Sequence, residues 1–353
     1  MTTQHEVALL RLAAQRIAGP RMSSAADTVR TLVAMQAQDF PGALTSAALR
    51  TGNRLRKDVE AALDAGEVVR SWPMRGTLHL VAAEDLSWLL ELLGPRILAG
   101  AARRRERLEL TTADTERARE LAVAALSGGR RLRREALLAV LAEGGVATTG
   151  QRGYHLLWFL AQTGTLCLGP TQDGEQLFVL LAEWLPAPRR LERDEALGEL
   201  ARRFFTGHGP ATVVDLVRWA GSTVRDVRAG LAIARPDLAA IQVDGTEYLM
   251  DPSTPDRLAA CREEARGAFL LPGFDEFVLG YADRRAVLDP AFADRIVPGG
   301  NGVFRSTVVS DGRIVGTWKW TGSGARRTVA ATPFTTFPEA VDPALPRLAA
   351  DLP

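Results

Sequence analysis

Gly209-Pro210-Ala211-Thr212-Val213-Val214-Asp215-Leu216-Val217-Arg218-Trp219-Ala220-Gly221-Ser222-Thr223 is the stretch that decides the fold. Its Gly-Pro-Ala-Thr opening starts a short helix over Val213–Trp219, and Gly221 closes it. Ser222 or Thr223 then caps a second helix, Arg225–Ala234. Two alternating segments follow, Leu238–Val243 and Glu247–Met250, around Asp244-Gly245, a strong hairpin signal. A longer helix, Asp194–Thr206, precedes the whole. Helix, glycine-bounded turn, helix and hairpin make a helix-turn-helix with a wing.

The same order recurs upstream. Arg133–Glu143 reads as a helix that stops at Gly144-Gly145. Thr149–Thr163 reads as the next, opened by a Thr cap. Thr165–Gly169 and Gln176–Leu181 pair around Pro170–Gly174, with Asp173-Gly174 as the turn signal. Nearer the N-terminus, His5–Ile17, Ala25–Met35 and Arg56–Ala65 read as helices. Val68–Trp72 and Thr77–Val81 flank Pro73-Met74-Arg75-Gly76 as a hairpin. One such unit is what any α+β protein could carry; three in one order point to a repeat. From Phe269 the pattern turns β-rich: Glu276–Leu279, Gly302–Ser310, Arg313–Trp320 and Thr328–Ala331 read as strands, with turns at Asp311-Gly312 and Gly322-Ser323-Gly324. The predicted architecture is α+β: three tandem winged-helix (helix-turn-helix) domains and a C-terminal antiparallel β-sheet or barrel. The boundaries are 1–125, 126–190, 191–265 and 266–353.

A chain of 353 residues that is 46% hydrophobic builds a sizeable core and is not disordered. No apolar run is long enough to span a bilayer. The N-terminus is amphipathic, without the features of a signal peptide. A cytoplasmic protein is expected, with Cys167 and Cys261 as free thiols. The net charge of +1 does not mark a polyanion binder, and lysine occurs only at Lys57 and Lys319. Arginines cluster at Arg103–Arg107 and Arg130–Arg134; each cluster suits phosphates or a solvated helix face equally.

Much chemistry is missing. The four histidines, His5, His79, His155 and His208, lack zinc-site spacing, and two distant cysteines cannot complete a site. There is no Walker loop, dinucleotide fingerprint or nucleophile elbow. No metal and no cofactor are expected. His79, on an alternating strand, reads as a structural hydrogen-bonder. Arg75, at the first hairpin turn, either approaches DNA or ties the hairpin down. Lys319, Arg326 and Arg327 surround the Gly322–Gly324 turn; such a basic hairpin either enters a DNA groove or solubilises the surface. Gln36-Ala37-Gln38 ends the helical run Ser24–Met35 and by itself is a polar helix end. Phe40 beside it either stacks on a base or packs in the core.

Together these segments resemble a known family. Gln36-Ala37-Gln38, Met74-Arg75-Gly76-Thr77-Leu78-His79-Leu80, Gly209-Pro210-Ala211-Thr212 with Asp215, Arg218 and Trp219, and Leu271-Pro272-Gly273-Phe274-Asp275-Glu276 are similar to the tandem winged-helix DNA glycosylases of the AlkZ type, over nearly the whole length. The resemblance implies that Gln36 and Gln38 are catalytic, with Ala37 in the apolar middle slot. Gln38, rather than the Asp of a related branch, implies self-resistance to DNA-alkylating natural products. Asp39 lies outside that pattern. The implied partner is double-stranded DNA carrying alkylated purines, including bulky adducts and interstrand crosslinks. The protein is expected to be monomeric and nucleoid-associated, with no membrane partner.

Two glutamines suffice only for an easy leaving group. Alkylation at N7 puts a positive charge on guanine, so the base departs without a general acid. A Gln side chain orients water but is a poor general base. Selectivity for cationic adducts follows, and because no lysine other than Lys57 is a candidate to lie near the Gln pair, no Schiff-base lyase step is expected. Two rival readings are a non-enzymatic winged-helix regulator or damage sensor, and a protein that sequesters an alkylating toxin without DNA.

Overall fold

The computed structural model describes residues 2–185 and 187–353 of a mixed α+β chain. It packs as two compact units. One unites the residues up to Asp58 with Leu197–Pro353; the other is Val59–Ala196.

In the first unit the helix Gln4–Ala14 starts where the Thr3 side chain accepts the Glu6 amide. It buries Val7, Leu9 and Leu12 in a core with Leu258, Val287, Val309 and Ile314. The deciding stretch folds as read. Thr212 and Asp215 form a reciprocal capping box at the start of helix Val213–Ala220, and Gly221 ends it in the left-handed region at φ 65°. Thr223 caps helix Val224–Ala234. Such caps contribute about 1 kcal/mol each. The strands Ala239–Val243 and Thr246–Met250 meet at Asp244 and Gly245, both at positive φ, as a two-residue hairpin turn requires. An antiparallel sheet runs in the order Thr328–Pro333, Arg313–Thr321, Thr307–Ser310, Ala268–Leu271. It is an open sheet, covered by helix Val341–Ala350 through Leu345 and Leu348.

In the second unit four antiparallel strands stand in the order Thr77–Ala82, Val68–Met74, Leu166–Gln172, Glu175–Leu180. Helices Leu86–Gly100, Thr112–Leu126, Arg134–Glu143 and Arg152–Gln162 accompany them, around a core that includes Trp72, Leu126, Leu141, Leu160 and Phe178.

Several expectations are corrected. The helix from Ala25 stops at Leu32, not Met35, because Val33 turns into positive φ. Glu276–Leu279 is a short helix rather than a strand, opened by Asp275, whose side chain accepts the Phe277 amide. Only Thr307–Ser310 of the expected strand 302–310 is extended. The helix expected from Thr149 begins at Arg152 after Gln151, without a side-chain cap. The second hairpin turns at Asp173-Gly174 alone, and Pro170 sits where the strand register shifts, a place that tolerates a missing N–H.

Candidate active site

Gln36 ends a three-residue strand, Ala34–Gln36, rather than a helix. Val33 makes the switch at φ 66°, ψ −53°, a backbone region that a β-branched residue adopts only when its surroundings force it. Those surroundings are tight: Val33, Ala34, Met35 and Ala37 are essentially fully buried. Gln36 is 8% exposed, whereas Gln38 lies at the surface. The element thus runs from the core outwards within three residues, with Ala37 as the apolar plug.

Behind Gln36 stands a carboxylate that the sequence placed in a family motif without giving it a role in the site. The Gln36 main-chain N–H donates to Glu276 Oε1 at 2.8 Å. Glu276 Oε2 accepts the Trp219 indole N–H at 2.9 Å and lies 3.4 Å from His208 Nε2. All three supporting side chains are buried. His208 Nδ1 has no hydrogen-bond partner among the described residues, and the nitrogen that faces the carboxylate is Nε2. The imidazole stacks on Phe204, with ring centroids 4.7 Å apart. Burial pushes the Glu276 carboxyl up. His208, the Gln36 amide and the indole N–H outweigh it and hold the group down at about 2. Glu276 is therefore ionised at neutral pH.

The neighbouring residue grips a different element. Asp275 takes a bidentate pair of hydrogen bonds from Arg50, both 2.9 Å, and one from the Ser46 hydroxyl at 2.6 Å. Arg50 also donates to the Gln15 carbonyl and side chain. Gln15 donates to Tyr281 Oη, whose hydroxyl reaches the His208 carbonyl at 2.7 Å. The segment leading in is itself constrained, since Phe274 sits at φ 59°. Asp275-Glu276 is thus a buried two-pronged anchor. One prong holds the helix Phe40–Leu49 through Arg50 and Ser46; the other holds the strand end at Gln36.

Asp39 has a structural occupation. It is the N-cap of helix Phe40–Leu49, its side chain accepting the Gly42 amide at 3.2 Å. Asp39→Ala is expected to cost about 1 kcal/mol, the usual value of a lost cap. Chemical denaturation checks this. Base release measured alongside should stay within about threefold of wild type, because a cap acts on the folded state and not on the reacting bond.

The expected DNA-contacting residues fall in both units. Arg75 is exposed at the hairpin turn in the second unit, at φ 51° beside Gly76. Its guanidinium lies 3.3 Å from His79 Nε2, while His79 Nδ1 donates to the Thr77 carbonyl at 2.9 Å. His79 is fully buried. Lys319, Arg326 and Arg327 share the hairpin of strands Arg313–Thr321 and Thr328–Pro333 in the first unit, and all three are exposed. The Arg327 guanidinium lies 4.1 Å over the Trp320 ring. Trp318 is buried, its indole N–H bonded to the Leu271 carbonyl. Phe40 is half-buried. Among the described residues no group of three His, Cys, Asp or Glu side chains is arranged to hold a metal ion, and no helix is long and apolar enough to cross a membrane.

Comparison with known proteins identifies the class: this is a DNA glycosylase. Residues 29–352 match the family described as DNA glycosylase AlkZ-like, and the chain belongs to that family. It is 28% identical over 311 residues to an interstrand DNA cross-link repair glycosylase of Streptomyces sahachiroi, covering 84% of this chain and 82% of that one. The solved structure of the Streptomyces sahachiroi DNA glycosylase AlkZ is similar with a TM-score of 0.82 at 25% identity, covering 99% of this chain and 96% of that chain. Family membership decides for the enzyme over the regulator reading.

Proposed function

We propose that the enzyme is a monofunctional glycosylase that hydrolyses the N-glycosidic bond of N7-alkylated purines, bulky adducts and interstrand crosslinks included. Gln36 and Gln38 are the catalytic pair. The observation that carries the reading is the Gln36-Ala37-Gln38 element itself, held rigid at a strand end inside a family of DNA glycosylases. The S. sahachiroi relative is named for cross-link repair, and that substrate class is carried over here as part of the proposal. Repair and self-resistance to a DNA-alkylating natural product are both served by the same reaction.

The chemistry asks little of the protein. The bond between the base nitrogen and C1′ breaks with its electron pair, which neutralises the cationic base as it leaves. Water adds its oxygen to the oxocarbenium carbon and loses a proton to solvent. The glutamine side chains place that water and stabilise developing charge, an orientation and electrostatic contribution rather than acid–base catalysis. Three helix–helix–hairpin units over 1–125, 126–190 and 191–265, read as tandem winged helices, and the sheet module 266–353 give one chain several DNA-binding elements. A monomer then suffices.

Duplexes carrying N7-methylguanine, a bulky N7 monoadduct or uracil test this directly. Release of both cationic bases and none of uracil is the expected result; uracil release would contradict the mechanism. Arg75, Lys319, Arg326 and Arg327 are proposed as DNA contacts. Replacing Lys319, Arg326 and Arg327 by Ala should weaken binding to damaged and undamaged duplex alike. It should also lower the slope of log K against log salt by roughly 1 per lost phosphate contact. An unchanged slope would assign that hairpin to the solvent.

A further inference from the structure

The candidate site contains a group that the two-glutamine chemistry does not use. Glu276 is 1% exposed, and a carboxylate so buried costs several kcal/mol to desolvate in its ionised form. Its two oxygens are divided between two tasks. Oε1 takes the Gln36 main-chain N–H, and Oε2 takes the Trp219 indole and faces His208. Trp219 and His208 hold the carboxylate from behind, and the carboxylate holds the strand. The far side of the anchor is tied down too, through Tyr281 to the His208 carbonyl and through Asp275 to Arg50.

The strand end needs such a holder. It leaves the strained Val33 and breaks out to the surface at Gln38 within five residues. A neutral carbonyl would satisfy an N–H equally well, so filling a hydrogen-bond valence does not explain an ionised group there. A charge-assisted bond is shorter and stiffer than a neutral one.

We propose that Glu276 is a positioning residue of base release: its buried carboxylate, anchored by Trp219 and His208, fixes the main chain at Gln36 and thereby the pose of the Gln36-Ala37-Gln38 element. This inference rests on the Gln pair carrying the reaction. Glu276 acts through the strand.

Two variants separate this role from simple support of the fold. Glu276→Gln keeps an acceptor for the Gln36 amide and removes the charge. Trp219→Phe keeps an aromatic ring in the core and removes the indole N–H. Each full-length protein is measured with Gln36→Ala alongside. The readings are single-turnover base release from N7-methylguanine duplex, Kd for that duplex, and hydrogen exchange of the Gln36 amide. Base release should fall about 10- to 100-fold in Glu276→Gln and about 3- to 10-fold in Trp219→Phe. The Gln36 amide should exchange faster in both, while Kd stays within about twofold, because these groups orient the site without adding a DNA contact. A role in the fold alone would not split rate from affinity. Should Glu276→Gln fail to fold, Trp219→Phe decides by the same readings. Wild-type rates in the folded variants, with Gln36→Ala inactive, would overturn the inference and leave the Gln reading intact. Full activity in Gln36→Ala would overturn the Gln36 role and this inference together.

Discussion

Gln38→Ala is expected to lower single-turnover base release from N7-alkylguanine duplex by about 100- to 1000-fold, the usual loss when one pre-oriented group is removed from a site that works by positioning and electrostatics. Duplex binding should change little. Gln38 lies at the surface end of the element, so its truncation leaves the core undisturbed. Gln36→Ala should show a loss of similar size for a related reason. The main-chain N–H that Glu276 holds survives the substitution, so the strand stays in place and the loss reports the side chain. Chemical denaturation of both variants close to wild type would confirm that activity, and not folding, has changed. A loss of DNA affinity matching the loss of rate would instead make the glutamines binding groups.

The second large effect concerns stability. Arg50 and Asp275 are both essentially inaccessible to water, and every oxygen of Asp275 is occupied by Arg50, Ser46 or the Phe277 amide. Arg50→Ala strands a buried carboxylate. The expected cost is about 3–5 kcal/mol, the range for breaking one side of a buried ion pair. Urea denaturation reads it directly. Arg50→Lys should recover only part, because one ammonium cannot reproduce the fork that serves Asp275, Ser46 and Gln15 together. Because Asp275 adjoins Glu276, base release should fall in the folded fraction as well. A loss under about 1 kcal/mol would show that the site relaxes or admits water, against its burial.

The local folding rules read the α+β class and many individual elements correctly, since each of those elements carries its own punctuation. Thr212 and Gly221 bound one helix, Thr223 opens the next, and Asp244-Gly245 turns the hairpin, all through interactions a few residues long. The site was half legible. Gln36 and Gln38 stood out through family resemblance alone, while composition and spacing made them a helix end. They are not one, because the packing that forces Val33 into positive φ is tertiary. Glu276 was read as part of a strand. What makes it a short helix is the Asp275 cap, and what makes it important is a bond to a residue 240 positions away. No periodicity encodes such a bond. His208 likewise gave no metal-like spacing, and its meaning comes from facing Glu276 in the core.

The most direct test of the central claim is unhooking of a duplex joined by an N7–N7 alkyl crosslink between guanines, followed on a denaturing gel. The account predicts that wild type converts the crosslinked species to separated strands bearing abasic sites, and that Gln38→Ala binds the same duplex and leaves it joined. Tight binding by wild type with no release, from the crosslink or from any N7 monoadduct, would contradict it.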